Sequence, residues 1–365
     1  VAQAKSVVLV TGGAGYIGSH VVLALLDSGH QVVVIDNLST GARSAVDPRA
    51  TFVLAEVEDV PTVTSVMQRA KAEAVIHMAA SISAEDSLAR PLDYYRNNTA
   101  VTVAVLESCL KAGVGSFVFS SSAAVYGAPP QPLIDETTVA HPATPYGASK
   151  LMSERIIADA ALAHAIRHCS LRYFNVAGAD AGGRAGQGPA ARSLIKLALD
   201  TALGRRDLLL VYGADFDTKD GSGVRDYVHV ADLAAAHVLV LQRLMSAAPV
   251  PEVLNCGYGR GYTVFEVIEA VRRVTGRPAA WQLAPRRPGD LAAVVADSTR
   301  IKALGWTPVY DNIEAMIAHA YEWELASSFR EPARSEATET RPRPTRDRPR
   351  LPPKVHPAMA PQLGR

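Results

Sequence analysis

VVLVTGGAGYIG, residues 7–18, decides the fold. The run VVLV at 7–10 is apolar and mostly β-branched, which suits a strand covered on both faces. Glycines follow at Gly12, Gly15 and Gly18, and a helical pattern begins near Ile17. A strand, a small-residue turn and a helix start in that order let backbone N–H groups approach a pyrophosphate, whose charge the helix N-terminus stabilises. A spaced-glycine loop is weak evidence on its own. Its weight comes from Asp36, which closes the next strand, QVVVID at 31–36, at the distance where a carboxylate accepts from an adenosine ribose diol. That carboxylate repels a ribose 2′-phosphate, so the pattern favours NAD over NADP.

Working outward, short apolar runs alternate with longer helical stretches from Ser6 to about Val176. Further strands are expected at TFVLAEV (51–57), AVIHMA (74–79), SFVFSS (116–121) and CSLRYF (169–174). This is the pattern of an α/β protein with a doubly wound (Rossmann) parallel sheet. After Asn175 a Gly-rich stretch leads into mixed strands and amphipathic helices, expected to form a smaller C-terminal α/β substrate domain. The expected boundaries are 1–176 for nucleotide binding, 177–329 for substrate with some chain crossing back, and 330–365 for a tail. That tail is rich in Pro and Arg and poor in large apolar residues, so it is expected to be disordered. VFEVIEAVRRVTG has helical spacing and predicts a helix capped by Gly276.

With 365 residues and a formal charge of +1, the chain can bury a full core and gives no reason to invoke nucleic acid or a membrane surface. Cys109, Cys169 and Cys256 are odd in number and lack metal-ligand spacing, so buried, inert thiols and no metal are expected. No apolar run has the length of a membrane span, and the N-terminus lacks a signal pattern; a soluble cytoplasmic protein is expected.

TPYGASKLM places Tyr146 four residues before Lys150, on one face of a helix. Thr144 suits the N-cap and Pro145 the first helical position, which puts Tyr146 in the first turn. The ammonium, the helix terminus and the charge of a bound nicotinamide are together expected to push the Tyr146 phenol well below its free value of about 10, making it a base. Ser122 follows the strand at 116–121 and precedes AAVYG, at a carboxyl end where ligands gather.

Taken in order, TGGAGYIGSH, VIDNLSTG, PLDYYRNNT, FVFSSSAAVYG, TPYGASKLMSE, LRYFNVAGA, GRRDLLLVYG, DGSGVRDYVHVADLA, NCGYGRGYTVFEVI, APRRPGDL and LGW resemble the extended short-chain dehydrogenase/reductase family, and more narrowly its UDP-glucose 4-epimerases. The resemblance implies NAD bound by Gly12, Gly15, Tyr16, Ile17 and Gly18, by Asp36, Asn37, Leu38, Ser39, Thr40 and Gly41, and by Glu56 and Val57. It extends the NAD site to Met78, Ala79, Ala80, Ser81, Ile82, Asn97, Lys150 and Phe174. Ser122, Tyr146 and Lys150 match the catalytic trio. Asn175, Leu194, Leu210, Val211, Tyr212, Arg225, Arg287, Asp290 and Val294 match positions for the UDP-hexose. The planar forks of Arg225 and Arg287 also suit a diphosphate on physical grounds.

The implied reaction oxidises the sugar at C4, lets the 4-keto sugar turn, and returns the hydride to the other face, exchanging UDP-glucose and UDP-galactose without net oxidation. Helices around Asn98–Val114 and Tyr146–His168 resemble those that pair subunits of this family into a homodimer. Val294 stands where some members have Tyr, which leaves room for UDP-N-acetylhexosamines. Ser193 stands where the family usually offers Asn or His to the nucleotide. Related UDP-sugar epimerases or decarboxylases, and a non-catalytic NAD-binding sensor, are the alternatives. A dehydratase would need an acid–base pair after the serine, where this chain has Ala123 and Ala124.

Overall fold

The structure, a computed structural model, describes residues 6–287 and 289–328; the tail from 330, expected to be disordered, lies outside them. The chain begins with β1 (Val7–Thr11), α1 (Tyr16–Asp27), β2 (Gln31–Asp36), β3 (Thr51–Leu54), α2 (Val60–Ala70), β4 (Ala74–His77), α3 (Ala84–Ala89) and α4 (Pro91–Tyr94). A π-helical turn at Tyr95–Ala100 carries α4 into α5 (Val101–Ala112). Then come β5 (Ser116–Ser122), β6 (Leu133–Ile134), α6 (Pro145–His164), β7 (Arg167–Tyr173) and β8 (Asn175–Ala177). The next elements are α7 (Leu194–Ala202), β9 (Leu209–Tyr212), β10 (Val224–His229), α8 (Val230–Met245) and β11 (Val253–Cys256). They are followed by β12 (Gly261–Thr263), α9 (Val264–Thr275), β13 (Trp281–Ala284), β14 (Ala293–Ala296), α10 (Thr299–Ala303) and α11 (Ile313–Ser328).

Seven parallel strands make the main sheet, in the order β11-β7-β5-β4-β1-β2-β3. Alternation along β1 explains its continuous apolar run. Val8 and Val10 pack against Val22 and Leu25 of α1 and Leu241 of α8 on one face. Leu9 packs with Met67 of α2, Leu106 of α5 and Ile157 of α6 on the other. Each such fully buried aliphatic side chain contributes about 1.5–3 kcal/mol relative to exposure. The chain runs outward from β1 to β2 and β3, then crosses back to β4, β5 and β7, so the switch point lies between β1 and β4. Loops diverge there and leave a crevice at the strands' carboxyl ends.

Three strands differ in length from expectation. β3 stops at Leu54 rather than 57, because its last pair is with Asp36 and the chain then turns into α2. β4 stops at His77 rather than 79, because the N–H groups of Met78 and Ala79 turn to the Thr11 hydroxyl. β7 spans Arg167–Tyr173 rather than 169–174, and α6 correspondingly ends at His164 rather than 168, with Ala165 as a left-handed cap. Both β11, which adds to the sheet edge beside β7, and α8 lie C-terminal to Asn175.

A second sheet centres on β10, which pairs with β8, antiparallel with β12, and with β14, itself joined by β6. Asp226 in β10 ties these strands together, accepting from the N–H groups of Tyr258 (2.9 Å), Gly259 (2.9 Å) and Ala296 (3.1 Å). Burial pushes its carboxyl up to about 6 against those bonds. α9 starts with a capping box between Thr263 and Glu266 and ends at Gly276 in the left-handed region, as its sequence pattern predicts. The three cysteines are free and buried. Among the described residues no helix is long and apolar enough to cross a membrane.

Candidate active site

The glycine loop is built for close approach. Gly12 has φ +71°, and a Cβ there would lie 2.7 Å from the Ala79 nitrogen; a Cβ on Gly18 would lie 2.1 Å from the Gly12 oxygen. These positions weld the loop after β1 to α1 and to the chain beyond β4. Gly15 is the N-cap of α1 and brings no side-chain cap, so first-turn N–H groups stay available to an anion. Tyr16 turns its ring away from them and donates to the Gly178 carbonyl (2.7 Å). Buried Asp36 grips the same loop, its Oδ2 accepting from the Ala14 N–H (2.9 Å) and its Oδ1 from the Leu38 N–H (2.8 Å). Asn37 donates to Glu56 (2.9 Å), joining the ends of β2 and β3. Beside them Leu54, Ala55, Glu56, Glu58, Asp59 and Thr62 line an open depression of about 690 Å³. Val57 is buried in the apolar layer over α2. A cradle that a Cβ would fill, an uncapped helix start and a carboxylate at the end of β2 together fit a dinucleotide.

Sequence reasoning missed the network under the loop that begins at Met78. The Thr11 hydroxyl accepts from the Met78 and Ala79 N–H groups (3.1 and 3.3 Å), so its own proton goes to His77 Nδ1 (2.7 Å). The proton on His77 therefore sits on Nε2 and faces the Thr102 hydroxyl (3.3 Å). Burial, then the Lys150 charge, push His77 down to about 3, so it stays neutral. Asn98, in the π turn, accepts from the Ser81 N–H (2.8 Å) and donates to the Ser81 carbonyl and the Ser149 hydroxyl (both 3.0 Å). Asn97 donates to the Ser81 hydroxyl (2.9 Å). The cofactor-side loop is thus pinned to α6, while Ile82 at its tip is exposed.

α6 starts as the sequence predicts: the Thr144 hydroxyl accepts from the Gly147 N–H (3.2 Å), and Pro145 opens the first turn. Lys150 is buried and donates from Nζ to the Ser120 carbonyl (2.7 Å). Ser122 caps the turn after β5, its Oγ accepting from the Ala124 N–H (3.2 Å). The chain's own groups act on the Tyr146 phenol in the opposite direction to the expected depression. Burial raises it above its ordinary value, against the hydrogen bond with Ser122, and nearby Tyr94 raises it further. Burial pushes Lys150 down to about 7, while Glu154 pulls it back up. The chain alone therefore keeps the phenol protonated, and ionisation needs the charge and donors of bound ligands. Tyr94, also missed from sequence, stands edge-on to Tyr146 with ring centres 6.3 Å apart and takes the Ser83 N–H on its hydroxyl (3.1 Å).

Past the catalytic end, Ala123 and Val294 pack with buried Phe174 in one small cluster. Val294 pairs in register with Arg225. Arg225 donates from Nη1 to the carbonyls of Val224 (2.8 Å) and Leu291 (2.9 Å) and lies 3.9 Å from Asp290; burial lowers it from its ordinary value, against the pull of Asp290. Arg287 makes a two-pronged contact with Asp290 (3.0 and 3.3 Å) and lies 4.7 Å over the Tyr212 ring. Along β9, Leu210 and Tyr212 are partly exposed while Val211 is buried, so Val211 can meet a ligand only through its backbone. Asn175 is exposed at the start of β8, and Leu194 opens α7. Ser193 caps α7 and donates to Gln187 (2.8 Å), so its hydroxyl is used internally.

A loop and helix start that fit a dinucleotide, with a phenol, a buried lysine and a serine together at the end of β5, are the features of a nucleotide-dependent enzyme. Residues 8–257 match the NAD dependent epimerase/dehydratase family, and the chain belongs to that family. Within it the chain groups with the UDP-glucose 4-epimerases. That of Azospirillum brasilense is 48% identical over 319 residues, which cover 87% of this chain and 91% of that one. Among solved structures, the UDP-glucose-4-epimerase of Stenotrophomonas maltophila with bound NAD and formylated UDP-arabinopyranose matches with TM-score 0.85 at 38% identity, covering 89% of this chain and 100% of that one. The UDP-Glc/GlcNAc 4-epimerase of Campylobacter jejuni matches with TM-score 0.77 at 42% identity, covering 88% and 99%.

Proposed function

We propose that this protein interconverts UDP-glucose and UDP-galactose as a UDP-glucose 4-epimerase that keeps NAD bound throughout its cycle. What supports this is that Ala123, next to Ser122, and Val294, the register partner of Arg225, pack against one apolar cluster, and that Arg225 and Arg287 both reach Asp290. Bound NAD supplies an acceptor that takes hydride from a carbinol carbon and returns it. Tyr146 takes the proton of the sugar 4-hydroxyl and later gives it back, and Ser122 holds the 4-oxygen. Lys150 lends positive charge beside the phenol. Arg225 and Arg287 exchange Asp290 for the UDP diphosphate, holding that end while the keto sugar turns. Elimination of water has no acid–base pair, since Ala123 and Ala124 follow the serine. The test is to incubate protein purified without added NAD with UDP-galactose and resolve the sugars. UDP-glucose should form without net reduction of dinucleotide; no conversion would overturn the proposal.

The surroundings of Val294 favour an additional substrate. It is half-buried and smaller than an aromatic residue, and it packs against the apolar cluster that holds Phe174. We propose that an N-acetylated hexose fits there, so UDP-N-acetylglucosamine is turned over. Val294→Tyr should abolish that activity and leave UDP-galactose turnover within about fivefold, since plain hexose needs less room. Equal loss of both activities would show that Val294 does not discriminate.

Leu110 on α5 and Met152 and Leu162 on α6 are large, apolar and exposed. We propose that α5 and α6 pair two copies of the chain, which would cover these side chains. Sedimentation equilibrium should give twice the chain mass; a monomer across the working concentration range contradicts the pairing.

A further inference from the structure

Three turns of α6 meet three consecutive serines of β5. Tyr146 meets the Ser122 hydroxyl, Lys150 donates to the Ser120 carbonyl (2.7 Å), and Glu154 accepts from the Ser121 hydroxyl. Ser121 and Arg172 are register partners on β5 and β7, and both reach Glu154. The Arg172 fork is bidentate, Nε to Oε1 at 2.9 Å and Nη2 to Oε2 at 2.5 Å, with both side chains buried. The guanidinium lies 4.8 Å over the Tyr126 ring, whose hydroxyl donates to Asn255 (2.7 Å). Tyr126 ends the turn that Ser122 begins. A buried ion pair of this kind is a poor way to gain stability, because desolvation cancels most of its attraction. Its position one helical turn from the catalytic lysine gives it another use.

We propose that Glu154, held by Ser121 and Arg172, is a positioning residue that sets the register of α6 against β5 and balances the charge around Lys150. The Lys150 ammonium has no carboxylate of its own; it lies on a carbonyl and 4.8 Å over the Phe119 ring. Glu154 on α6 and His77 on β4 act on it directly; Arg172 on β7 pairs with Glu154, while Tyr173 on β7 and Tyr94 interact with Tyr146, one turn before it on α6. His77 is neutral, so Glu154 supplies the negative charge and Arg172 offsets it. Removing only the anion leaves two cations together, which favours losing the Lys150 proton and favours the Tyr146 phenolate. Removing only the cation does the opposite.

The inference rests on the epimerase reading, and its test separates the two. Glu154→Gln should move both limbs of the kcat–pH profile to lower pH by about one unit, with KM for UDP-galactose unchanged. Arg172→Met should move both to higher pH, and the double variant should return the profile to that of the parent. Shifts of opposite sign distinguish charge balance from lost packing, which lowers Tm without moving the profile. The Tyr146 titration itself, isolated as the phenolate absorbance difference between each protein and its Tyr146→Phe counterpart, reads the same shifts without turnover. It therefore decides the question even if the parent proves inactive on UDP-galactose, an outcome that would remove only the epimerase reading. If one single variant fails to fold, the other and the charge-free double variant still fix the sign. Folded variants whose Tyr146 titration matches that of the parent would overturn the proposal.

Discussion

Tyr146→Phe is expected to lower kcat for UDP-galactose epimerisation about a thousandfold, the scale of a lost general acid–base. The ring stays: Phe keeps the edge-on contact with Tyr94 and the same buried volume, so α6 and its Thr144 cap should be undisturbed. Bound NAD and KM for the UDP-sugar should then remain close to those of the parent. The chain alone raises the phenol and lowers the lysine, so the phenol keeps its proton until ligand charge arrives. Activity of the variant within tenfold of the parent would mean that another group carries the proton.

Asp36→Asn should cost the protein its captive cofactor. The carboxylate already accepts from Ala14 and Leu38 N–H groups at 2.9 and 2.8 Å, one on each oxygen, and has further lone pairs for a ribose diol. An amide turns one oxygen into a donor, which then faces an N–H. Losing charged hydrogen bonds of about 1.5–3 kcal/mol each should weaken NAD binding by about two orders of magnitude. The variant should elute from gel filtration depleted of dinucleotide and respond to NAD added to the assay, whereas the parent should not. Full NAD content after filtration would show that Asp36 serves the loop alone.

Much of the fold was legible because its signals are local. The strand-turn-helix at 7–18, the Thr144 cap and the Gly276 cap each lie within a few residues of the structure they specify. The candidate site was legible where motif residues sit at strand ends, as Ser122, Asp36 and Gly12 do. What sequence reading missed depends on partners far along the chain. Some crossing back was expected, but not that the edge strand β11 and the covering helix α8 are the segments that join the first sheet, since no periodicity announces their destination. Glu154 reads as an ordinary helical glutamate until Arg172 and Ser121 are seen beside it. Asn98 and His77 are polar residues whose roles appear only when α5, α6 and β4 pack together. Spacing shows the Lys150 charge and the helix terminus but not the desolvation of Tyr146, which raises its phenol in the chain itself.

The central claim is that one bound dinucleotide takes hydrogen from C4 and returns it to the same sugar. UDP-galactose carrying deuterium at C4 and carbon-13 throughout the hexose, mixed with unlabelled UDP-galactose and incubated with the protein in ordinary water, tests this directly. The label should be recovered at C4 of both UDP-glucose and residual UDP-galactose, undiminished and still on the molecules that first carried it. Loss of deuterium to water would contradict the account, since inversion would then proceed through proton exchange rather than a returned hydride.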